Sequence, residues 1–214
     1  MNAELPIIYV ARHGETAWSL TGQHTGLTDL PLTQHGEQNA RGLAERLRGL
    51  TFARVFTSPL QRAMRTCELA GFGSAAEIDA DLVEWDYGDY EGLRSIDIHK
   101  TRPDWNLFRD GCPGGESPAL VAARADRVVS RVRPIEGNVL LFSSGHFIRV
   151  LAARWADIEP LTNGAHFMLT TASLSALGYE GSIPGQSSDC GMTLITSQLE
   201  PLPQLSALKH LRHK

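Results

Sequence analysis

Two periods of apolar residues take turns along this chain, a short continuous one and a helical one, and they predict strands and helices in alternation. The run Leu5-Pro6-Ile7-Ile8-Tyr9-Val10-Ala11 is β-branched and unbroken, as in a buried strand. A polar stretch rich in Gly and Thr, residues 18–32, reads as a loop. From Thr33 on, Ala40, Leu43, Ala44 and Leu47 recur at the spacing of one buried helix face. Residues 53–57 predict a short strand. Ser58-Pro59-Leu60-Gln61 then offers a serine cap, a proline at the first helical position and a glutamine at the third. That signature predicts a helix with Leu60, Ala63, Met64 and Cys67 turned inward.

Residues 77–83 read as another short strand, ending at Glu84 and followed by a loop of aromatics and acids up to Gly92. Residues 93–116 hold Pro103, Pro113, Trp105 and several glycines, which suits an irregular flap with room for one helix. Ser117-Pro118 opens a helix whose inner stripe is Val121, Ala125, Val128 and Val132. Residues 138–143 form a clear buried strand leading into a helix over 146–155. Short strands over 165–169 and 173–179 close the sheet. After Gly181 the chain turns to Gly, Ser, Pro and Leu and ends in Lys209-His210-Leu211-Arg212-His213-Lys214, a composition compatible with disorder. Residues 1–180 are therefore read as one domain and 181–214 as a C-terminal tail. Alternating strands and helices predict a layered α/β fold.

Bulk properties narrow the function. At 214 residues, 42% hydrophobic and 21% charged, the chain suits a single soluble domain. A net charge of −4 argues against nucleic acid or an anionic membrane as the main partner, so an anionic ligand needs a local cluster of cations. No 18-residue apolar stretch is present and Met1-Asn2-Ala3-Glu4 lacks the basic start of a signal peptide, from which a cytoplasmic protein is expected. Cys67, Cys112 and Cys190 are few and widely spaced, indicating neither a disulfide scaffold nor a metal cluster. The histidines include no pair at metal-ligand spacing on a helix face, so no metal is expected. Gly111-Cys112-Pro113-Gly114-Gly115 lacks the Lys-Ser/Thr ending of a nucleotide-binding loop and reads as a turn in the flap.

Three strand-to-helix junctions carry chemistry that suits a phosphoryl group. The first delivers Arg12 and His13, the second Arg62 in the first helical turn, and the third Ser144, Gly145 and His146. Parallel strands joined by helices bring such ends to one edge of the sheet, where ligands bind in open α/β folds. Helix N-termini add partial positive charge there. A neutral imidazole is a competent nucleophile, and arginine matches phosphate oxygens. Transfer to histidine also needs the leaving oxygen protonated, which a carboxylic acid with a raised pKa can do. Glu84, beside Trp85 and Tyr87, is one candidate; Asp81, Asp86, Asp89 and Glu91 are equally near in sequence.

Arg12-His13-Gly14-Glu15-Thr16 resembles the signature of the histidine phosphatase superfamily, in the branch that contains phosphoglycerate mutases and sugar-phosphate phosphatases. The likeness continues through residues 25–33, 57–63, 84–92, 114–117 and 171–174, and so spans roughly residues 5–180. The Gly22-Gln23-His24-Thr25-Gly26 loop and Glu84-Trp85-Asp86-Tyr87-Gly88 look most similar to sedoheptulose-1,7-bisphosphatase-like members. The resemblance implies a three-layer α/β/α sandwich, phosphoglycerate mutase-like, with a mostly parallel central sheet. It also implies a covalent phosphohistidine mechanism on a small phosphate ester, without metal or other cofactor. On the matching positions His13 is the nucleophile, Arg12 and Arg62 clamp the phosphoryl oxygens, and Glu84 is the acid and then the base. Thr25 and Gly26 line the substrate loop.

One position departs from the family. A second histidine is expected in a Ser-His-Gly context, and here the stretch is Ser143-Ser144-Gly145-His146, with Ser144 at that place. Ser144 offers one neutral hydrogen bond where an imidazole would add charge. His146 either swings in as its replacement, a catalytic role, or caps and packs at the helix start. The expectation is retained phosphatase activity, with a phospholigand-binding pseudoenzyme as the alternative. A mutase needs an extensive closing lid, and the short flap over 93–116 favours net hydrolysis.

Overall fold

The computed structural model describes residues 6–157, 169–178 and the backbone of 194–197. Strands β1 (Ile8–Arg12), β2 (Arg54–Thr57), β3 (Ala76–Ile78), β4 (Val139–Ser143), β5 (Leu174–Leu177) and β6 (Leu194–Ser197) form one sheet in the order β3-β2-β4-β1-β5-β6. The first four run parallel, and β5 and β6 join antiparallel. Helices α1 (Ala17–Thr21), α2 (Gln34–Arg46), α3 (Gln61–Leu69), α4 (Ser95–His99), α5 (Leu107–Asp110), α6 (Pro118–Val132) and α7 (Gly145–Trp155) surround it. Among the described residues no helix is long and apolar enough to cross a membrane.

Period-two burial makes the sandwich. Ile8 and Val10 of β1 pack with Val121, Val128, Phe147 and Leu151 of α6 and α7. Tyr9 and Ala11, pointing the other way, pack with Leu43, Leu47 and Cys67 under α2 and α3. The sheet is thus covered on both faces, as the three-layer reading requires. Strands β1 and β4 are neighbours, and the long helices that follow them, α2 and α7, lie on opposite faces. A crevice opens at the carboxyl ends of two such strands. In register terms Arg12 lies opposite Ser143 and Thr57 opposite Phe142, so the three expected junctions do leave the sheet at one level.

Several local expectations are corrected. Ser58 does not cap the second helix: the chain stays extended to Leu60, and α3 begins at Gln61, whose N–H donates to Asp29 Oδ1 at 2.8 Å. A distant loop therefore supplies the cap that the local motif promised. The inward face of α3 is Arg62, Ala63, Thr66 and Cys67, with Leu60 and Met64 only half-buried. The strand expected over 77–83 ends at Ile78, because Asp79 accepts from Asp81 N–H and turns residues 80–82 into a short 3-10 helix. Glu84 therefore follows a turn and does not end a strand. The loop expected over 18–32 begins inside α1, which a reciprocal Thr16–Ser19 capping box starts. The flap holds two short helices, α4 and α5. Of the closing strands, 173–179 is observed as β5, while 165–168 lies outside the described residues. The region after Gly181 contributes β6, paired through Leu174↔Ser197 to Leu177↔Leu194; the rest of it lies outside the described residues.

The Gly-Glu-Thr half of the opening motif builds this frame. Glu15 Oε1 accepts from the Thr33 hydroxyl at 2.6 Å, and Glu15 O accepts from Thr33 N–H, so the loop after His13 is stitched to the start of α2. Contact there is close enough that a Cβ on Gly36 would sit 2.2 Å from Glu15 O, and one on Gly14 would sit 2.4 Å from Gly36 O. Both neighbours are backbone and neither can yield cheaply. Gly36→Ala is accordingly expected to cost about 3 kcal/mol by overpacking, read as a lowered urea midpoint. An unchanged midpoint would show that the α2 junction has slack.

Candidate active site

His13 emerges from β1 and is 4% exposed. Its Nδ1 lies 2.7 Å from the carbonyl oxygen of Gly14, and since a carbonyl only accepts, Nδ1 carries the proton. The free lone pair is therefore on Nε2. Burial holds the imidazole pKa well below its ordinary value, and the charges of Arg12 and Arg62 push the same way. The Gly14 hydrogen bond opposes them without prevailing. Near neutral pH this ring is uncharged, with two guanidinium groups close enough to act on it. Thr66, one turn along α3 from Arg62, fixes the loop: Gly14 N–H donates to its hydroxyl at 2.9 Å, and that hydroxyl donates to Arg62 O at 2.7 Å.

Arg62 is fully buried, and its Nη groups donate to Thr28 O (2.9 Å), Gly26 O (2.7 Å) and Thr25 O (3.2 Å). Its Nε has no partner. Thr25 and Gly26, expected along the substrate loop, here present their carbonyls to Arg62. The Gly26 N–H is taken by the Glu91 carboxylate at 2.8 and 3.0 Å. Arg12 donates to Leu169 O at 2.5 Å, and its Nε also lacks a partner. Gly145 at the head of α7 admits Arg12: a Cβ there would lie 3.1 Å from Arg12 Cζ and Nε.

Glu84, 4% exposed, is singled out from the neighbouring acids by its contacts. Its carboxylate accepts from Trp85 N–H (2.9 Å), Phe147 N–H (2.7 Å) and His146 N–H (3.0 Å). It thereby does the capping of α7 that Ser144, the N-cap residue, leaves undone. Asp81 meets Arg127 and Arg131 at the surface instead, and Glu91 is spent on the Gly26 loop. Arg124 props the Glu84 segment by donating to Asp81 O, Val83 O and Glu84 O, while pairing with Glu116 at 2.7 Å and lying 4.5 Å over the Phe147 ring.

The Ser144 hydroxyl is buried and without a partner. His146 Nδ1 lies 2.6 Å from the Tyr87 hydroxyl, so its ring stands in a wall with Tyr87, His24 and Phe108. Burial and the Arg149 charge hold the His146 pKa well below its usual value, and burial keeps the Tyr87 phenol protonated. This wall is uncharged. His24, whose Nε2 lies 3.3 Å from Ser95 Oγ, is pushed by burial from 6.5 down to about 4.

A histidine depressed on folding holds fewer protons in the native than in the unfolded chain between those two pH values. Stability is then complete above 6.5 and is lost as the pH falls toward 4. His24→Asn should flatten that acid decline by roughly 3 kcal/mol, measured by urea unfolding across the range. Parallel profiles for the two proteins would show that His24 does not titrate there.

Arg12, His13, Arg62, Glu84 and the Ser144 junction thus lie together at the strand ends, near enough for their charges to act on one another and for Glu84 to bond the head of α7. Residues 8–185 match the family model of the histidine phosphatase superfamily, branch 1. The chain belongs to this superfamily. Among its relatives, an acid phosphatase of Mycobacterium tuberculosis is 42% identical over 178 residues, 81% of this chain and 86% of the relative. The sedoheptulose 1,7-bisphosphatase of Saccharomyces cerevisiae is 37% identical, over 70% of this chain and 67% of the relative. The solved structure of an open reading frame product from Mycobacterium tuberculosis superposes with a TM-score of 0.79 at 36% identity, covering 91% of this chain and 96% of that one.

As a histidine phosphatase the chain has residues around its site that local motifs did not reveal. Thr66, Asp29 and Arg124 hold the Gly14 loop, the start of α3 and the Glu84 segment. Thr66 and Arg124 left a local trace, each a polar residue on the inward face of its helix.

Proposed function

We propose that this histidine phosphatase hydrolyses phosphomonoesters of small metabolites, sugar phosphates among them, through a phosphohistidine. The observation that carries the reading is the His13 tautomer: Nδ1–H is spent on Gly14 O, which leaves the Nε2 lone pair beside Arg12 and Arg62. In the first step Nε2 attacks phosphorus, the P–O bond to the alcohol breaks, and Glu84 gives its proton to the leaving oxygen. In the second, water gives a proton back to Glu84 and its oxygen attacks phosphorus. The N–P bond breaks and inorganic phosphate leaves. The positive charges of Arg12 and Arg62, which already act on His13, offset the negative charge that spreads over the phosphoryl oxygens.

The relatives named for acid phosphatase and sedoheptulose bisphosphatase activity support a small phosphate ester as substrate. The uncharged wall of Tyr87, His146 and His24 suits a polyol better than a second phosphate on that side. A panel of phosphorylated sugars and glycolytic acids, assayed for released phosphate, tests the class. With 3-phosphoglycerate, loss of phosphate supports hydrolysis, and conversion to the 2-isomer overturns it. Ser144 favours one second reading, a protein that binds phospholigands without turnover. Acid-labile phosphate trapped on His13 after substrate mixing excludes it; tight phosphate binding with no trapped phosphate establishes it.

A further inference from the structure

Gly111-Cys112-Pro113-Gly114-Gly115 reads as a plain turn in the flap, yet it brings Glu116 against the segment that carries Glu84. A Cβ on Gly88 would sit 2.3 Å from Gly115 N and Pro113 O, and one on Gly115 would sit 2.3 Å from Asp86 O, so the two backbones touch directly. Asp89 N–H donates to Pro113 O at 2.8 Å and Glu116 N–H to Asp86 O at 2.9 Å. The Glu116 carboxylate accepts from Asp86 N–H at 3.0 Å, and its carbonyl accepts from the Trp85 indole N–H at 3.0 Å. The residues just after Glu84 are thus gripped from the flap. Those up to Glu84 are gripped from α6, where Arg124 donates to Asp81 O at 2.9 Å, Val83 O at 2.7 Å and Glu84 O at 3.2 Å. The two grips are joined, because Arg124 also donates to Glu116 Oε1 at 3.1 Å and Oε2 at 2.7 Å. All five guanidinium donors are then taken.

We propose that Glu116 is a positioning residue for the general acid: paired with Arg124, it fixes the main chain on both sides of Glu84, so that the carboxyl group keeps its place whether or not it holds a proton. The partners of the carboxylate cannot do this alone. Three N–H groups bind Glu84, but a hydrogen bond to a charged oxygen is stronger than one to a neutral oxygen, so their hold loosens once the proton is on. The acid step starts from that protonated form. The Arg124–Glu116 pair grips main chain and the Trp85 indole instead, and its hold does not change with the proton. Arg124 also lies 4.5 Å over the ring of Phe147, whose N–H donates to Glu84 Oε1 at 2.7 Å. One cation therefore touches both the main chain of the acid and a partner of its carboxylate. A buried ion pair is often no more stabilising than apolar residues of the same volume, but the rigid guanidinium fork fixes direction as they cannot. The inference rests on Glu84 as proton donor in the proposed function, and its test keeps the two apart.

The test is a double-mutant cycle of Glu116→Gln and Glu84→Gln on an alkyl phosphate, with an aryl phosphate run beside it. Glutamine keeps the length of Glu116 and one acceptor oxygen but loses the carboxylate fork that Arg124 grips. E116Q alone should lower kcat on the alkyl ester about 30-fold. KM should stay within about 2-fold, because Arg12, Arg62 and His13 keep their partners. The phenol burst from the aryl ester, which needs no proton donor, should keep its rate. In the E84Q background the same substitution should cost less than about 3-fold, since its effect passes through Glu84. Equal losses on the two esters, or the same loss in both backgrounds, would overturn the positioning role and leave Glu116 a residue of general stability. Should E116Q not fold, Arg124→Lys keeps the charge without the fork and carries the same comparisons, with the same selective loss on the alkyl ester expected. Absence of turnover in the unmodified protein, or turnover that E84Q leaves unchanged, would instead sink the reading of Glu84 on which the proposal rests, and the proposal with it.

Discussion

Replacing His13 with alanine is expected to lower kcat by at least about 10³-fold on any substrate and to abolish acid-labile phosphate on the protein. Among the described residues the competing groups are poorly placed to take the phosphoryl group: the Ser144 hydroxyl has no hydrogen-bond partner, the buried cysteines are thiols that burial pushes up to about 12, and His146 Nδ1 is engaged by the Tyr87 hydroxyl. The substitution removes one hydrogen bond, from Nδ1 to Gly14 O, so stability should fall by only about 1 kcal/mol. Lost activity would then report lost chemistry. The same environment sets the acid limb of the wild-type pH profile. Free imidazole is half-protonated near 6.5, but burial and the two arginines hold His13 well below that. Only the neutral ring attacks, so kcat/KM should persist as pH drops through 6.5 and decline further into acid. A limb with its midpoint at 6.5 would mean that His13 is wetter than the structure shows. Equal turnover by the alanine variant would remove the phosphohistidine route.

What the chain revealed before folding, and what it withheld, divides along the range of the interactions. Arg12, His13 and Arg62 were legible because each sits just past an apolar run at a strand–turn–helix junction, a purely local pattern. Glu84 was not separable from Asp81, Asp86, Asp89 and Glu91 on sequence physics, because what distinguishes it is three backbone N–H groups, two of them from α7. The start of α3 was misread for the same reason: its cap is Asp29, more than thirty positions earlier. Polar residues on an apolar face were the overlooked clue. Thr66 and Arg124 both interrupt predicted inner stripes, and both bond backbone groups of the site, Arg124 while also pairing with the Glu116 carboxylate. The β6 edge was invisible because four residues in a Gly- and Pro-rich stretch show strand character only once β5 lies beside them. The layered α/β character was legible from the alternation of strand and helix patterns, whereas the three-layer sandwich came only with the family resemblance; in the structure β1 buries alternate residues in two cores.

Glu84→Gln carries the second large effect, and its size should depend on the leaving group. Glutamine keeps the shape but has no proton to give to the departing alkoxide, so kcat on an alkyl phosphate is expected to fall about 10²- to 10⁴-fold. An aryl phosphate, whose phenolate leaves without help, should lose far less in the first step. Its phosphohistidine should then accumulate, because the second step needs Glu84 as a base toward water. A burst of phenol followed by slow turnover is the predicted signature. The substitution also disturbs the fold. The carboxylate accepts from Trp85, Phe147 and His146 N–H, and an amide nitrogen in place of one oxygen turns at least one of these contacts into donor against donor. An unsatisfied buried donor costs roughly 1–3 kcal/mol, so the urea midpoint should drop alongside kcat, with unravelling at the head of α7. The two readouts separate the roles: a variant equally slow on alkyl and aryl esters, without a burst, would show that Glu84 only caps α7 and that the proton comes from elsewhere.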